Sequence, residues 1–85
     1  MEIRFAASFG RDYWELSPEI RKVLDKKFAL LLSNARHPSL RMKKMEGYEN
    51  VWEARITKGY RFTFRKEKDT YLIRRAGPHD ILKRP

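Results

Sequence analysis

Arg55 and Arg61 are the residues of this 85-residue chain whose types and spacing point most directly to chemistry. They lie in the run Trp52-Glu-Ala-Arg-Ile-Thr-Lys-Gly-Tyr-Arg-Phe-Thr-Phe-Arg65. Trp52, Ala54 and Ile56 alternate there with Glu53, Arg55 and Thr57, and Tyr60, Phe62 and Phe64 alternate with Arg61, Thr63 and Arg65. Such alternation marks two half-buried strands of a hairpin. A two-residue loop at Lys58-Gly59 would pair Ile56 with Arg61 and mix apolar with charged side chains on both faces. A three-residue loop, Thr57-Lys58-Gly59, pairs Ile56 with Tyr60, Ala54 with Phe62 and Trp52 with Phe64, and puts Gly59 where a positive φ is needed. The three-residue loop is therefore expected. It sets Arg55 directly across from Arg61, and Glu53 across from Thr63. Like charges so opposed repel by something on the order of 0.2–1 kcal/mol. An anion held between the two guanidiniums removes that repulsion, and arginine forks match phosphate oxygens. The competing reading is two arginines splayed into water, softened by Glu53 on the diagonal from Arg61.

His79 is the second chemical candidate. It follows Gly77-Pro78, which marks a strand end, and imidazole exchanges protons near neutral pH. A lone loop histidine is more often simply exposed, and His37, beside Pro38, reads as a helix-end residue. The two histidines show no metal-ligand spacing. The chain carries no phosphate-binding glycine loop, nucleophile elbow or zinc motif, so neither a metal nor a cofactor is expected.

The elements that must position these residues follow from periodicity. Ile3, Phe5 and Ala7 alternate as a first strand. Ser8 stands where a helix cap belongs, and Phe9, Tyr13, Trp14 and Leu16 predict a short helix over 9–16, weakened by Gly10. Ser17-Pro18-Glu19 is a stronger helix start, with a capping hydroxyl, a proline suited to the first turn and an acid at the positive dipole end. Ile20, Val23, Leu24, Phe28, Leu31 and Ala35 carry that helix to about Arg36, before Pro38. Lys27 falls beside the stripe and can snorkel. Leu30 and Leu32 widen the stripe, which predicts one apolar face for the sheet and another for a partner. Residues 37–50 read as a basic loop with Arg41, Lys43 and Lys44, pinned by Leu40, Met42 and Met45. Residues 71–76 form the third strand of a meander. The expected fold is α+β, in the order β-α-α-β-β-β, with two N-terminal helices packed on a small antiparallel meander and one domain over 1–85.

Lys and Arg number 20 against 11 Asp and Glu, giving a net charge of +9 and a pI near 10.2. That balance points to a polyanionic partner, whether nucleic acid, an anionic membrane or an acidic protein. Absence of cysteine excludes thiol catalysis and disulfide staples and fits a reducing compartment. No apolar run reaches the ~20 residues of a membrane span, and Met-Glu-Ile-Arg-Phe lacks the apolar stretch of a secretion signal. The expectation is a cytoplasmic protein with no membrane partner.

With the hairpin run and Ile73-Arg-Arg-Ala-Gly-Pro-His-Asp80 in hand, the chain resembles the RelE/ParE toxin superfamily, closest to its RelE, YoeB and YafQ ribonucleases. The element order matches over nearly the whole chain. The resemblance implies the toxin of a type II toxin–antitoxin system. It implies a metal-independent endoribonuclease, an mRNA interferase that inhibits translation by cleaving mRNA on the ribosome. In that chemistry the substrate's 2′-hydroxyl attacks the adjacent phosphate and leaves a cyclic phosphate end. It further implies that Arg55 and Arg61 hold the phosphate and that His79 acts as acid or base. Glu53 stands where RelE carries a basic residue, and serves either as base or as counter-charge. Arg41, Lys43, Lys44, Arg65, Lys83 and Arg84 would bind RNA backbone. The family's C-terminal aromatic is replaced by Leu82, leaving Tyr48 for base stacking. An acidic, helical antitoxin is expected on the apolar faces of 9–36, at Trp14, Leu24, Leu30 and Leu32. The alternatives are a ParE-type gyrase poison acting by protein contact and a catalytically degenerate RNA-binding relative.

Overall fold

The computed structural model describes residues 1–85. Strand β1 (Glu2–Phe5) leads into helices α1 (Ala7–Glu15) and α2 (Pro18–Ser33), then β2 (Lys43–Lys44), β3 (Val51–Thr57), β4 (Tyr60–Lys66) and β5 (Thr70–Pro78). The strands form one sheet in the order β1-β5-β4-β3-β2. The meander is antiparallel, but β1 joins β5 in parallel, Ile3 beside Tyr71, so the sheet is mixed rather than purely antiparallel. The two-residue β2, which pairs Lys43 with Glu53, adds a strand to the expected order.

Period-2 alternation puts Ala54, Phe62, Phe64 and Ile73 on the face covered by the helices, all fully buried with Leu24, Leu31 and Leu40. Helix α2 starts as expected, with the Ser17 hydroxyl accepting from the Ile20 amide at 3.3 Å. It ends earlier, at Ser33, because Asn34 leaves the helical region at φ −156°. The chain then turns into a short 3₁₀ helix, Pro38–Leu40, that drives Leu40 into the core. Lys27 reaches the Ser39 carbonyl at 3.0 Å and so ties α2 to this turn. No helix is long and apolar enough to cross a membrane.

Helix α1 takes the place of a strand along β5 beyond the end of β1. Its cap is Ala6, not Ser8. The Ala6 amide donates to the Ile73 carbonyl at 2.8 Å. Ser8 donates its hydroxyl to the Arg74 carbonyl at 2.7 Å, and Asp12 accepts from the Ala76 amide at 3.1 Å. Arg74 is the extra residue of a bulge, since Thr63 pairs with Arg75 and Phe64 with Ile73. Edge groups that would otherwise invite another strand are thereby satisfied.

The hairpin keeps the expected register with a different loop. Trp52, Ala54 and Arg55 face Phe64, Phe62 and Arg61, but Thr57 pairs with Tyr60 and the register shifts between Arg55 and Thr57. The loop is Lys58-Gly59 alone, and Ile56 is a bulge residue. A bulge absorbs the one-residue slip that would have flipped the strand. Gly59 has no positive φ; Gly47 does, at 82°.

Asp12 also holds the Arg75 guanidinium at 2.6 Å, with its own side chain 13% exposed. Asp12→Ala should leave the Ala76 amide and the Arg75 charge without their acceptor and cost about 2 kcal/mol. Thermal denaturation should show a midpoint about 10 °C lower, and Asp12→Asn should recover part of the loss.

Candidate functional site: the outer face of the sheet

Strand register arranges the charged residues of the face away from the helices in rows. Arg55, Arg61 and Gly77 form one row across β3, β4 and β5. Lys43, Glu53, Thr63 and Arg75 form the next. His79 follows Pro78 directly and therefore belongs to the same end of the sheet as Arg55 and Arg61. It is exposed, at the start of a 3₁₀ segment, His79–Lys83.

The two arginines differ in their partners inside the chain. Arg61 Nη1 lies 2.8 Å from the Thr57 carbonyl and 3.0 Å from those of Lys58 and Tyr60. One side of its guanidinium thus caps the hairpin loop. Arg55 has no such partner. Its Nε is buried without an acceptor, and desolvation, then the charges of Arg41 and Arg61, pull its proton affinity down. Arg55 is therefore the cation of this row with the most to gain from a bound anion. Glu53 is half-buried and makes no ion pair or hydrogen bond. Its carboxylate stands without a partner one row from the arginines.

The face is partly covered, which its alternation did not reveal. The 79–85 segment folds back over it. The Tyr48 hydroxyl donates to the Lys83 carbonyl at 3.3 Å, Arg75 to the Arg84 carbonyl at 3.0 Å, and Arg74 to the Pro85 backbone oxygen at 3.3 Å. Ile81 is buried against Gly77, where an added Cβ would stand 2.9 Å from Ile81 Cγ2. Thr63 is fully buried and its hydroxyl has no partner. Lys83 and Arg84 are pinned by their backbone carbonyls while their side chains remain exposed.

The other expected RNA contacts divide in two. Arg41, Lys43 and Lys44 are exposed at the β2 edge. Arg65 is not among them, because it pairs with Val51 and Leu72, away from the Arg55 row, and reaches Glu67 at 3.5 Å. Of the expected partner contacts, Trp14 is 73% exposed and Leu32 49%. Leu24 is fully buried and holds the helix to the sheet instead of facing a partner, while Leu30 is half-buried against the core. The stripe was read as two faces, but most of it packs inward. The open apolar surface lies elsewhere, in a groove of about 360 Å³ lined by Phe5, Phe9, Tyr13, Trp14 and Phe28. Phe5, 54% exposed, stacks on Phe9 at 5.0 Å, and Arg21 lies 5.1 Å over Trp14. The aromatic spacing Phe5, Phe9 and Tyr13 was the available signal.

Arg41 holds φ at 45°, a left-handed conformation that costs a non-glycine residue about 1–2 kcal/mol. Arg41→Gly should raise the thermal midpoint by up to about 5 °C, whereas Arg41→Ala, which loses the same charge but keeps the strain, should not.

Comparison with known proteins bears on the fold. No protein-family profile matches the chain, and no curated protein does. Solved structures match over nearly its whole length. The RelB–RelE antitoxin–toxin complex from Methanococcus jannaschii aligns with a TM-score of 0.78 at 23% identity, covering 95% of both chains. The E. coli DinJ–YafQ toxin–antitoxin complex aligns at 0.79 and 14% identity, covering 94% of this chain and 93% of the other. A YoeB/ParE toxin from Agrobacterium tumefaciens aligns at 0.76 and 16%, covering 93% and 99%. The chain has the RelE-like fold that these toxins share, the fold that its hairpin and its Gly-Pro-His ending resemble.

Proposed function

We propose that the chain is the toxin of a type II toxin–antitoxin pair and a metal-independent endoribonuclease that cleaves mRNA on the ribosome, in the cytoplasm. The observation that carries this reading is Arg55, an unpartnered guanidinium in one row with Arg61, at the sheet end where His79 is exposed. A phosphate there meets Arg55 and the free side of Arg61. As the 2′-oxygen attacks phosphorus, negative charge grows on the phosphoryl oxygens, and fixed cations stabilise it. The bond to the 5′-oxygen breaks, His79 gives that oxygen a proton, and the cyclic phosphate remains. Glu53 takes the 2′-hydroxyl proton. Lys43, Lys44, Lys83 and Arg84 supply backbone contacts, and Tyr48 a surface for a base.

The chain and its Arg55→Ala and His79→Ala variants, expressed separately, test this by mapping mRNA 5′ ends beside an assay for gyrase-linked DNA breaks. Cleavage should fall about 10²–10⁴-fold in His79→Ala and about 10²–10³-fold in Arg55→Ala, with His79→Ala still binding RNA. DNA breaks with intact mRNA would instead assign a gyrase poison, and neither effect a decayed site.

The antitoxin is an acidic helical segment that lays its apolar side chains in the Phe5–Trp14–Phe28 groove. A buried tryptophan anchor is commonly worth 2 kcal/mol or more at an interface, so Trp14→Ala should weaken the purified pair by about 30-fold in titration calorimetry. Leu24→Ala should act through folding stability instead.

A further inference from the structure

A second cationic site lies around the β2 edge from Arg55. Trp52 shares the helix-covered face with Ala54, and beyond the end of α2 it borders a pocket of about 450 Å³ lined also by Arg36, His37, Arg41, Met42 and Lys66. Four features of the pocket point to an anion. Its lining residues include no carboxylate. The side chains of Arg36, Arg41 and Lys66 make no ion pair. Lys66 Nζ sits 4.7 Å over the Trp52 ring. The Nδ1 atom of His37 accepts from the Ser39 amide at 3.1 Å, which puts the proton of neutral His37 on Nε2, another donor.

Arg41 links this pocket to the outer face. It lines the pocket, and its charge reaches Arg55. Exposed Lys43 and Lys44 continue the cations along the edge. One acidic side chain would neutralise a fraction of such a belt. A nucleic-acid strand presents a phosphate at every step and meets all of it. With the Trp52 ring already covered by Lys66, the pocket suits a phosphate better than a stacked base.

We propose that this pocket binds a backbone phosphate of the RNA strand whose scissile phosphate lies at Arg55, the strand crossing the β2 edge between them. The site rests on the RNA reading above and extends it to a second contact on the helix side of the sheet.

Fluorescence anisotropy with 2′-O-methyl oligonucleotides, which cannot be cleaved, tests it on the full chain. The probes are a trinucleotide and a dodecanucleotide. Arg36→Ser combined with Lys66→Ser should weaken the dodecanucleotide about tenfold and lower its salt slope by about one unit. The trinucleotide should be unaffected. Lys22→Ser with Lys26→Ser, an equal charge loss on exposed α2 residues, is the control, and thermal midpoints check folding of both. An equal loss in the control, or none in the pocket variant, overturns the proposal while leaving the outer-face reading intact. A loss confined to an acidic helical peptide assigns the pocket to a protein partner and overturns it too. Failure of the parent chain to bind either oligonucleotide overturns both readings.

Discussion

The Asp12 carboxylate is the joint on which the architecture turns. It accepts from the Arg75 guanidinium and from the Ala76 amide, and Arg75 donates onward to the Arg84 carbonyl. One acid thus connects α1, the unpaired side of β5 and the segment carrying His79. A helix is a poor neighbour for a strand edge, because its own backbone groups are already bonded to each other. Side chains must do the work, and Ser8 and Asp12 do it. The pair is only partly exposed and bears three donor contacts, so it is not a loose surface ion pair of small value.

Around that joint the chain distributes an excess of positive charge unevenly. Arg75 is neutralised by Asp12. Arg61 is spread over loop carbonyls, and Lys27 over the Ser39 carbonyl. Burial together with the nearby Arg55 lowers the proton affinity of Lys27. Arg36, Arg41, Arg55 and Lys66 are left with neither an acid nor a carbonyl. Cations that build the fold are the ones that have internal acceptors. These four lie along a course from the outer face to the pocket beside Trp52, and Arg41 adds backbone strain to it.

Alternation and capping made the elements legible in the sequence, and parity alone placed Arg55 across from Arg61. The loop was misread because a bulge at Ile56 gives the same facing pairs as a longer loop, and sequence periodicity cannot tell the two apart. Leu24 is not a partner contact; helical spacing shows that a residue is apolar without showing what covers it. The folded-back 79–85 segment was invisible for a different reason. It is held by backbone carbonyls of Lys83, Arg84 and Pro85, and carbonyls carry no residue signature. His79 was legible as a strand-end histidine, whereas the pocket beside Trp52 is assembled from four separate stretches and leaves no local pattern.

The parallel pairing of β1 with β5 carries a consequence in time. Ile3 cannot find Tyr71 until residue 71 has left the ribosome, and α1 has no edge to cover until Arg74 and Ala76 exist. Contacts of such long sequence separation slow the search for the native state. The same topology makes assembly late and concerted, since β1 and the sheet edge that α1 covers both depend on β5. During synthesis the row of Arg55, Arg61 and Gly77 is completed only when the last strand arrives, so a nascent chain carries the residues of the site well before it carries the site.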